Sequence, residues 1–366
     1  MSVSTPSPSL DEQAVSQWPG ATVDVDVHVG LGTVERLYPY LGRGWAAYIE
    51  ATAFRAPPVG MVYPPKVETT VAARWRPEDG SVPAGTLARL DADLLTPRST
   101  DIAVLHPYWG LDSVRHPEVT AVLARAINDL LVEEFLDQDP RLRGTITVPH
   151  HDPGAAIAEI ERVGGHPGFV QVALPVWSQM LWGKRIWHPL FRAIAEHDLV
   201  AAVHYGGMPD ATPTATGWPA YHVEFLAAAP QMFQAQLVNI IAEGLFAAVP
   251  TLRMTFLESG FTWLPGMMWR MNKEWKGLRR DIPWVTRPPA EIIREHIKVS
   301  VQPTDGTPAA EMARIVGWLG SDEMLLYASD YPHGHGDGGT AELLGVLSPE
   351  ARTKLMADNA RAHYRL

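Results

Sequence analysis

Eight short apolar runs recur along the chain, most of them continuous rather than alternating, and they close on polar groups. They cover residues 22–29, 102–106, 144–149, 168–175, 199–204, 252–258, 296–302 and 324–330. Continuous apolar runs of this length fit parallel strands buried on both faces. Helical patterns lie between them. "HPEVTAVLARAINDLLVEEFLDQ" is long and periodic. "DPGAAIAEIERVGG" offers Asp152 as N-cap, Pro153 in the first turn and a stop at Gly164. "IWHPLFRAIAEHD" and residues 230–249 and 308–319 continue the alternation. Eight strand–helix alternations predict an α/β fold of the (β/α)8 TIM-barrel type rather than an open doubly wound sheet. No GxGxxG follows the first run, which argues against a dinucleotide fold. Residues 31–100 are too many for an ordinary loop and are rich in Pro, Gly and aromatics. They read as a long insertion after the first strand, over the barrel mouth. Residues 1–20 lack the cationic start and apolar segment of a secretory signal and read as a flexible arm. Residues 21–366 then form a single domain.

The first apolar run breaks its own pattern. "VDVDVHVG", residues 23–30, sets Asp24, Asp26 and His28 on one face and valines on the other. Burying an unpaired charge is costly, so this face needs hydrogen bonds, an ion pair or a metal cation. Asp24 is expected to hydrogen-bond backbone amides. Barrel active sites lie at the C-terminal strand ends, which makes the closing residue of each run informative. The runs close on His28, on His106, on His150 and His151, on His204 before Gly206 and Gly207, on Glu258 before Ser259 and Gly260, and on Asp330. One histidine at a strand end is ordinary. The signal is the set, carried by strands that are apolar until their last residues.

Composition narrows the chemistry. A hydrophobic fraction of 46% with 19% charged residues describes a globular chain with a sizeable core. A net charge of −11 without a long basic stretch argues against binding nucleic-acid phosphates. The absence of cysteine excludes disulfides and thiolate metal sites. Any metal must therefore be held by His, Asp or Glu, which suits Zn²⁺ or Mn²⁺. No window approaches the roughly eighteen consecutive apolar residues of a membrane helix, so a cytoplasmic protein without membrane partners is expected. There are thirteen tryptophans. Trp109, Trp177 and Trp182 follow predicted strands, and Trp45 and Trp75 fall in the insertion. Aromatic walls near a metal suit a flat, aromatic or apolar small molecule. Trp263, Trp269 and Trp318 are expected to pack helices on the barrel. "GMMWRMNKEW" reads as helix packing or a subunit contact, in keeping with a homodimer.

The opening "VDVDVHVG", then "VHYGG", "FLESGFTWLPGMMWRMN", "YASDYPHG" and the closing "ADNARAHYRL" resemble, in order, the metal-dependent amidohydrolase superfamily. The likeness is to the branch of aminocarboxymuconate semialdehyde decarboxylase and the aromatic acid decarboxylases. It implies one divalent metal held by Asp26, His28, His204 and Asp330, with Asp26 in place of the more usual first histidine of a His-x-His pair. No lysine ends the fourth strand, so a carbamylated bridging lysine is not expected. Where the decarboxylases usually carry a histidine on strand six, this chain has Glu258. Glu258 and Asp330 are the expected catalytic groups, and His106, His151, Trp109 and Trp177 the expected substrate-binding ones. The first reading is decarboxylation of an aromatic or unsaturated acid. Hydrolysis of an amide, ester, lactone or thioester, with Asp330 as base, is the alternative, and a non-catalytic binding barrel is the third.

Overall fold

The computed structural model describes residues 9–55, 71–78, 80–107, 109–207, 217–336 and 338–366. Its centre is an eight-stranded sheet whose strands lie side by side in chain order, every pair parallel. The strands are β1 (Val23–His28), β2 (Ile102–His106), β3 (Leu142–Ile146), β4 (Phe169–Trp177), β5 (Val200–Gly207), β6 (Arg253–Leu257), β7 (Ile297–Ser300) and β8 (Leu325–Leu326). Every residue of β1, β4 and β7 is buried, as strands covered on both faces require.

The chain beyond β8 nearly closes this sheet into a barrel. The amide of Val25 donates to the Tyr327 carbonyl (3.1 Å), that of Asp330 to Asp26 (3.1 Å) and that of His28 to Tyr331 (2.8 Å). The run predicted over 324–330 is regular for two residues only. Asp330 has a left-handed φ of +51°, which turns the backbone out of strand geometry. Register sets the height of the rim: His28 pairs with His106, and His204 lies level with Pro175 on β4 and Leu257 on β6.

The helix Pro153–Val163 starts as its sequence dictates, with the Asp152 carboxylate accepting from the amides of Gly154 (2.9 Å) and Ala155 (3.1 Å). The helix His222–Ala242 is long and apolar enough to cross a membrane by length and composition. It is nonetheless seated on the barrel: Met232, Phe233, Leu237 and Ile240 are buried, and Gln236 donates to the Val176 carbonyl (2.8 Å) and accepts from the Trp182 amide (2.9 Å).

Two stretches differ from the sequence reading. Part of the expected flexible arm, Leu10–Ser16, is a helix closed by a Ser9–Glu12 capping box, with Val15 buried. Glu12 holds it in place by accepting from Arg74 (3.1 Å) and Arg98 (3.2 Å). Trp269 and Trp318, expected to be packed, meet edge to face at 5.6 Å and stand about half exposed. Between β1 and β2 the described residues form the short helical turns Val34–Tyr40, Arg43–Ala51, Ala73–Trp75 and Leu87–Leu90, the last running into a π turn Asp91–Leu95. Residues 56–70 of this connection lie outside the described residues.

Candidate metal centre

The polar face of β1 divides its three groups between two tasks. Asp24 is fully buried, and its Oδ1 accepts from the amides of Ser329 (2.9 Å) and Asp26 (3.3 Å). It ties β1 to the turn after β8, in the backbone-bonded role expected for it. Burial pushes its carboxyl up to about 6.

Asp26 and His28 point instead into a cluster at the rim. Among the described residues neither carboxylate oxygen of Asp26 finds a hydrogen-bond partner, though both are buried. They face three imidazoles: Asp26 Oδ1 is 3.7 Å from His28 Nε2 and 3.8 Å from His106 Nδ1, and Oδ2 is 3.5 Å from His204 Nε2. Burial alone would raise the Asp26 carboxyl. The charge of His204 and the neighbouring His106 and His28 more than offset this and hold it below the ordinary range. His28 Nε2 lies 2.9 Å from Asp330 Oδ1 and 3.1 Å from Glu258 Oε1. Against the downward pull of burial, those two carboxylates lift its imidazole to about 10.

His204 is oriented by its own strand. Its Nδ1–H donates to the Tyr205 carbonyl (2.5 Å), which turns Nε2 toward Glu258 Oε1 at 3.1 Å. A backbone partner on one ring nitrogen with the other aimed at a cation is the usual arrangement of a ligating histidine. Despite burial, Glu258 and Asp26 raise the His204 imidazole well above its ordinary value. His106 stacks on His28 (5.5 Å) and meets His204 edge-on (4.1 Å). Burial and the charge on His204 push it down to about 3, so it stays a neutral ring behind the cluster.

Two carboxylates reach the cluster from strained backbone. Glu258, directly after β6, and Asp330, in the turn four residues beyond β8, have φ of +56° and +51°. Such conformations cost non-glycine residues about 1–3 kcal/mol and persist where the surroundings impose them, commonly at functional sites. The Glu258 amide is fixed by the Ser300 hydroxyl (3.1 Å). The Asp330 carboxylate is gripped by His333 Nδ1 (2.8 Å) on Oδ1 and by His335 on Oδ2. Burial would raise it, but His333, His335 and His28 hold it well below the ordinary carboxylate range.

Two overlapping four-residue sets bring one donor atom each within 4.8 Å of one another: Asp26, His28, His204 and Glu258, and His28, Glu258, Asp330 and His333. The donor chemistry fits a divalent cation: buried carboxylates with unfilled acceptor capacity beside imidazoles. The sets contain all four ligands named from the sequence but split them, with Asp330 in the second group. Glu258 belongs to both. His333 and His335 were missed by sequence reasoning, although "DYPHGH" places them three and five residues after Asp330.

The expected substrate-binding residues fall into two adjoining cavities. His106 and Trp109 line an inner one of about 20 Å³ together with His204, Leu111 and Pro175. His151 and Trp177 line an outer one of about 250 Å³. His151 is not at the cluster: its Nε2–H donates to the Asp112 carbonyl (2.7 Å).

A parallel barrel carrying a buried His–carboxylate cluster on its C-terminal rim defines a class of metal-binding barrel proteins. Within that class the chain belongs to the amidohydrolase family, whose model matches residues 23–366. A gamma-resorcylate decarboxylase of Rhizobium radiobacter is 24% identical over 316 residues, spanning 78% of this chain and 93% of that protein. The crystal structure of a dihydroxybenzoic acid decarboxylase from Polaromonas sp. JS666, with bound manganese and the inhibitor 2-nitroresorcinol, superposes with a TM-score of 0.68 at 16% identity, covering 95% of this chain and 97% of that one. The 5-carboxyvanillate decarboxylase of Novosphingobium aromaticivorans, a point mutant with manganese and 3-methoxy-4-hydroxy-5-nitrobenzoic acid, gives 0.68 at 18% identity, covering 96% and 99%.

Proposed function

We propose that this protein is a metal-dependent, non-oxidative decarboxylase of an aromatic carboxylic acid. The observation that carries the reading is the pair of overlapping buried clusters, Asp26, His28, His204 and Glu258 in one and His28, Glu258, Asp330 and His333 in the other, beside an apolar-walled cavity. The relatives named above, all decarboxylases of aromatic acids, support the same chemistry.

Asp26, His28, His204 and Asp330 would hold the cation, with Glu258 beside His28 and His204. When bound, a divalent metal would supply positive charge to offset that of the substrate carboxylate. The carboxylate-rich donor set suits manganese, which two of the related structures contain. Trp109, Leu111 and Pro175 line the inner cavity, which at about 20 Å³ has room for little more than one water and forms an apolar passage to the cluster, while the outer cavity of about 250 Å³ has room for the ring. The bond from ring to carboxylate breaks, CO₂ leaves, and the electron pair stays on the ring carbon. Glu258, a carboxylate at rest, takes up a proton from solvent and delivers it to that carbon. His333 and His335 keep Asp330 ionised and fixed in orientation.

Residues 21–366 work as one unit. The β1–β2 connection reaches the mouth: the Ala72 amide donates to the Pro332 carbonyl (2.9 Å), Trp75 meets Tyr331 edge-on at 5.1 Å, and Phe54 meets Trp109 at 6.3 Å. That placement supports the sequence reading of a cover over the site. The half-exposed Trp269 and Trp318 support a subunit contact in a homodimer.

The test is direct. Manganese-loaded protein is incubated with a panel of hydroxybenzoates and carboxyvanillates, and CO₂ and the decarboxylated ring are measured together. Equal amounts of the two are expected. Absence of CO₂ across the panel, with turnover of esters or lactones, would overturn the reading in favour of hydrolysis.

A further inference from the structure

His150 follows β3 and takes no part in the metal cluster, yet it sits on the seam of the two cavities. The inner one reaches His106 and His204, the outer one reaches Trp177 and Met180, and both are lined by His150. Its Nε2 lies 3.2 Å from the Ala173 carbonyl. A carbonyl oxygen only accepts, so Nε2 carries the proton and donates it. In a neutral ring that leaves Nδ1 as an acceptor. Nδ1 is buried and has no hydrogen-bond partner among the described residues, on a residue only 9% exposed. The surroundings are mostly apolar: Trp109, Leu174 and Pro175 line the inner cavity with it, and the Trp182 ring lies at 6.4 Å. His151, next in sequence, differs in that its Nε2 is already committed to the Asp112 carbonyl. A buried acceptor left unfilled between two cavities is a cost that a bound molecule relieves.

We propose that His150 is a specificity-determining residue: its Nδ1 accepts a hydrogen bond from an O–H or N–H group on the substrate, whose ring lies in the outer cavity that His150 lines. The assignment rests on the reading that an aromatic acid binds with its ring in the outer cavity and its carboxylate toward the cluster. It adds that the substrate carries a donor away from the carboxylate, such as a phenolic hydroxyl or an aromatic amine, and that a methyl ether at the same place is disfavoured. Sites built to hydrogen-bond a substrate donor discriminate strongly against analogues lacking it, because the site group is then stranded.

Matched hydroxy- and methoxybenzoates, substituted ortho, meta or para, test the claim in binding titrations and turnover with manganese-loaded protein. At one ring position the hydroxy member should bind about tenfold or more tightly than its ether. The preference should survive in His150→Gln, which keeps an acceptor, and vanish in His150→Phe, with KM rising and kcat little changed. Phenol and anisole, which carry no carboxylate, are soaked into metal-free wild-type crystals as a separate arm. Phenol should place its hydroxyl on Nδ1, and anisole should not occupy that position. Phenol bound elsewhere, or a preference unchanged in His150→Phe, overturns the assignment even if benzoates are decarboxylated. Phenol on Nδ1 without decarboxylation of any benzoate leaves the assignment standing and removes the decarboxylase reading.

Discussion

Replacing Glu258 by Gln separates the structural work of this side chain from its chemical work. The swap keeps shape and removes one negative charge. Glu258 Oε1 is 3.1 Å from both His28 Nε2 and His204 Nε2, two contacts made to charged partners. A hydrogen bond to a charged group contributes about 1.5–3 kcal/mol, and an amide oxygen preserves one acceptor of the same shape. The loss in fold stability should therefore be about 1.5–3 kcal/mol, a fall in Tm of no more than about 10 °C. Metal should remain bound at one per chain, because the proposed ligands Asp26, His28, His204 and Asp330 are untouched. If Glu258 delivers the proton, turnover should drop on the order of a hundredfold or more, which is about 2.7 kcal/mol in barrier height. The assays are thermal melts with and without chelator, metal content by mass spectrometry, and CO₂ release under saturating substrate. Glu258→His should recover part of the lost turnover if the chemistry is decarboxylation, since the family resemblance implies a histidine at this strand end. Full turnover in Glu258→Gln, with metal bound, would refute the proton-transfer role and leave the glutamate a structural group.

Further outcomes follow from the same geometry. His204→Ala and Asp330→Ala should each lose metal from purified protein, measured by elemental analysis, and lose CO₂ release with it. Asp26→Ala should bind manganese on the order of tenfold or more weakly in competition with a fluorescent chelator, while Asp26→His should retain it; unchanged affinity in Asp26→Ala removes Asp26 from the ligand set. His150 links stability to pH, because burial holds its folded imidazole down to about 4 against an ordinary 6.5. A depressed folded value means that its contribution is complete above pH 6.5 and is lost as pH falls toward 4, where the unfolded chain takes up the proton first. The loss should be about 3 kcal/mol, read as the extra drop in urea-unfolding free energy of the wild type over His150→Gln between about pH 7 and about pH 4.

The sequence by itself determined the architecture and most of the rim. Runs such as 102–106 and 168–175 are apolar nearly throughout because strands covered on both faces leave little room for a polar side chain until the strand emerges. That one constraint made His28, His106, His204, Glu258 and Asp330 legible as strand-end residues, and local capping chemistry made Asp152 legible as a helix start. Only the tertiary structure decided how these ends relate to one another. Which strand ends meet depends on barrel closure and on register, and the pairing of His28 with His106 is not written in either segment alone. The left-handed turns at Glu258 and Asp330 aim their carboxylates inward, and no local signal announces a non-glycine residue at positive φ. His333 and His335 come beside Asp330 because the chain after β8 runs on parallel to β1, a closure that hydrophobic periodicity does not encode. For the same reason Leu10–Ser16 becomes a helix: its caps are local, but Glu12 finds Arg74 and Arg98 only once residues far along the chain have been brought beside it. Burial pattern is a property of each segment and survives in the sequence, whereas the convergence of charges is a property of the assembled barrel.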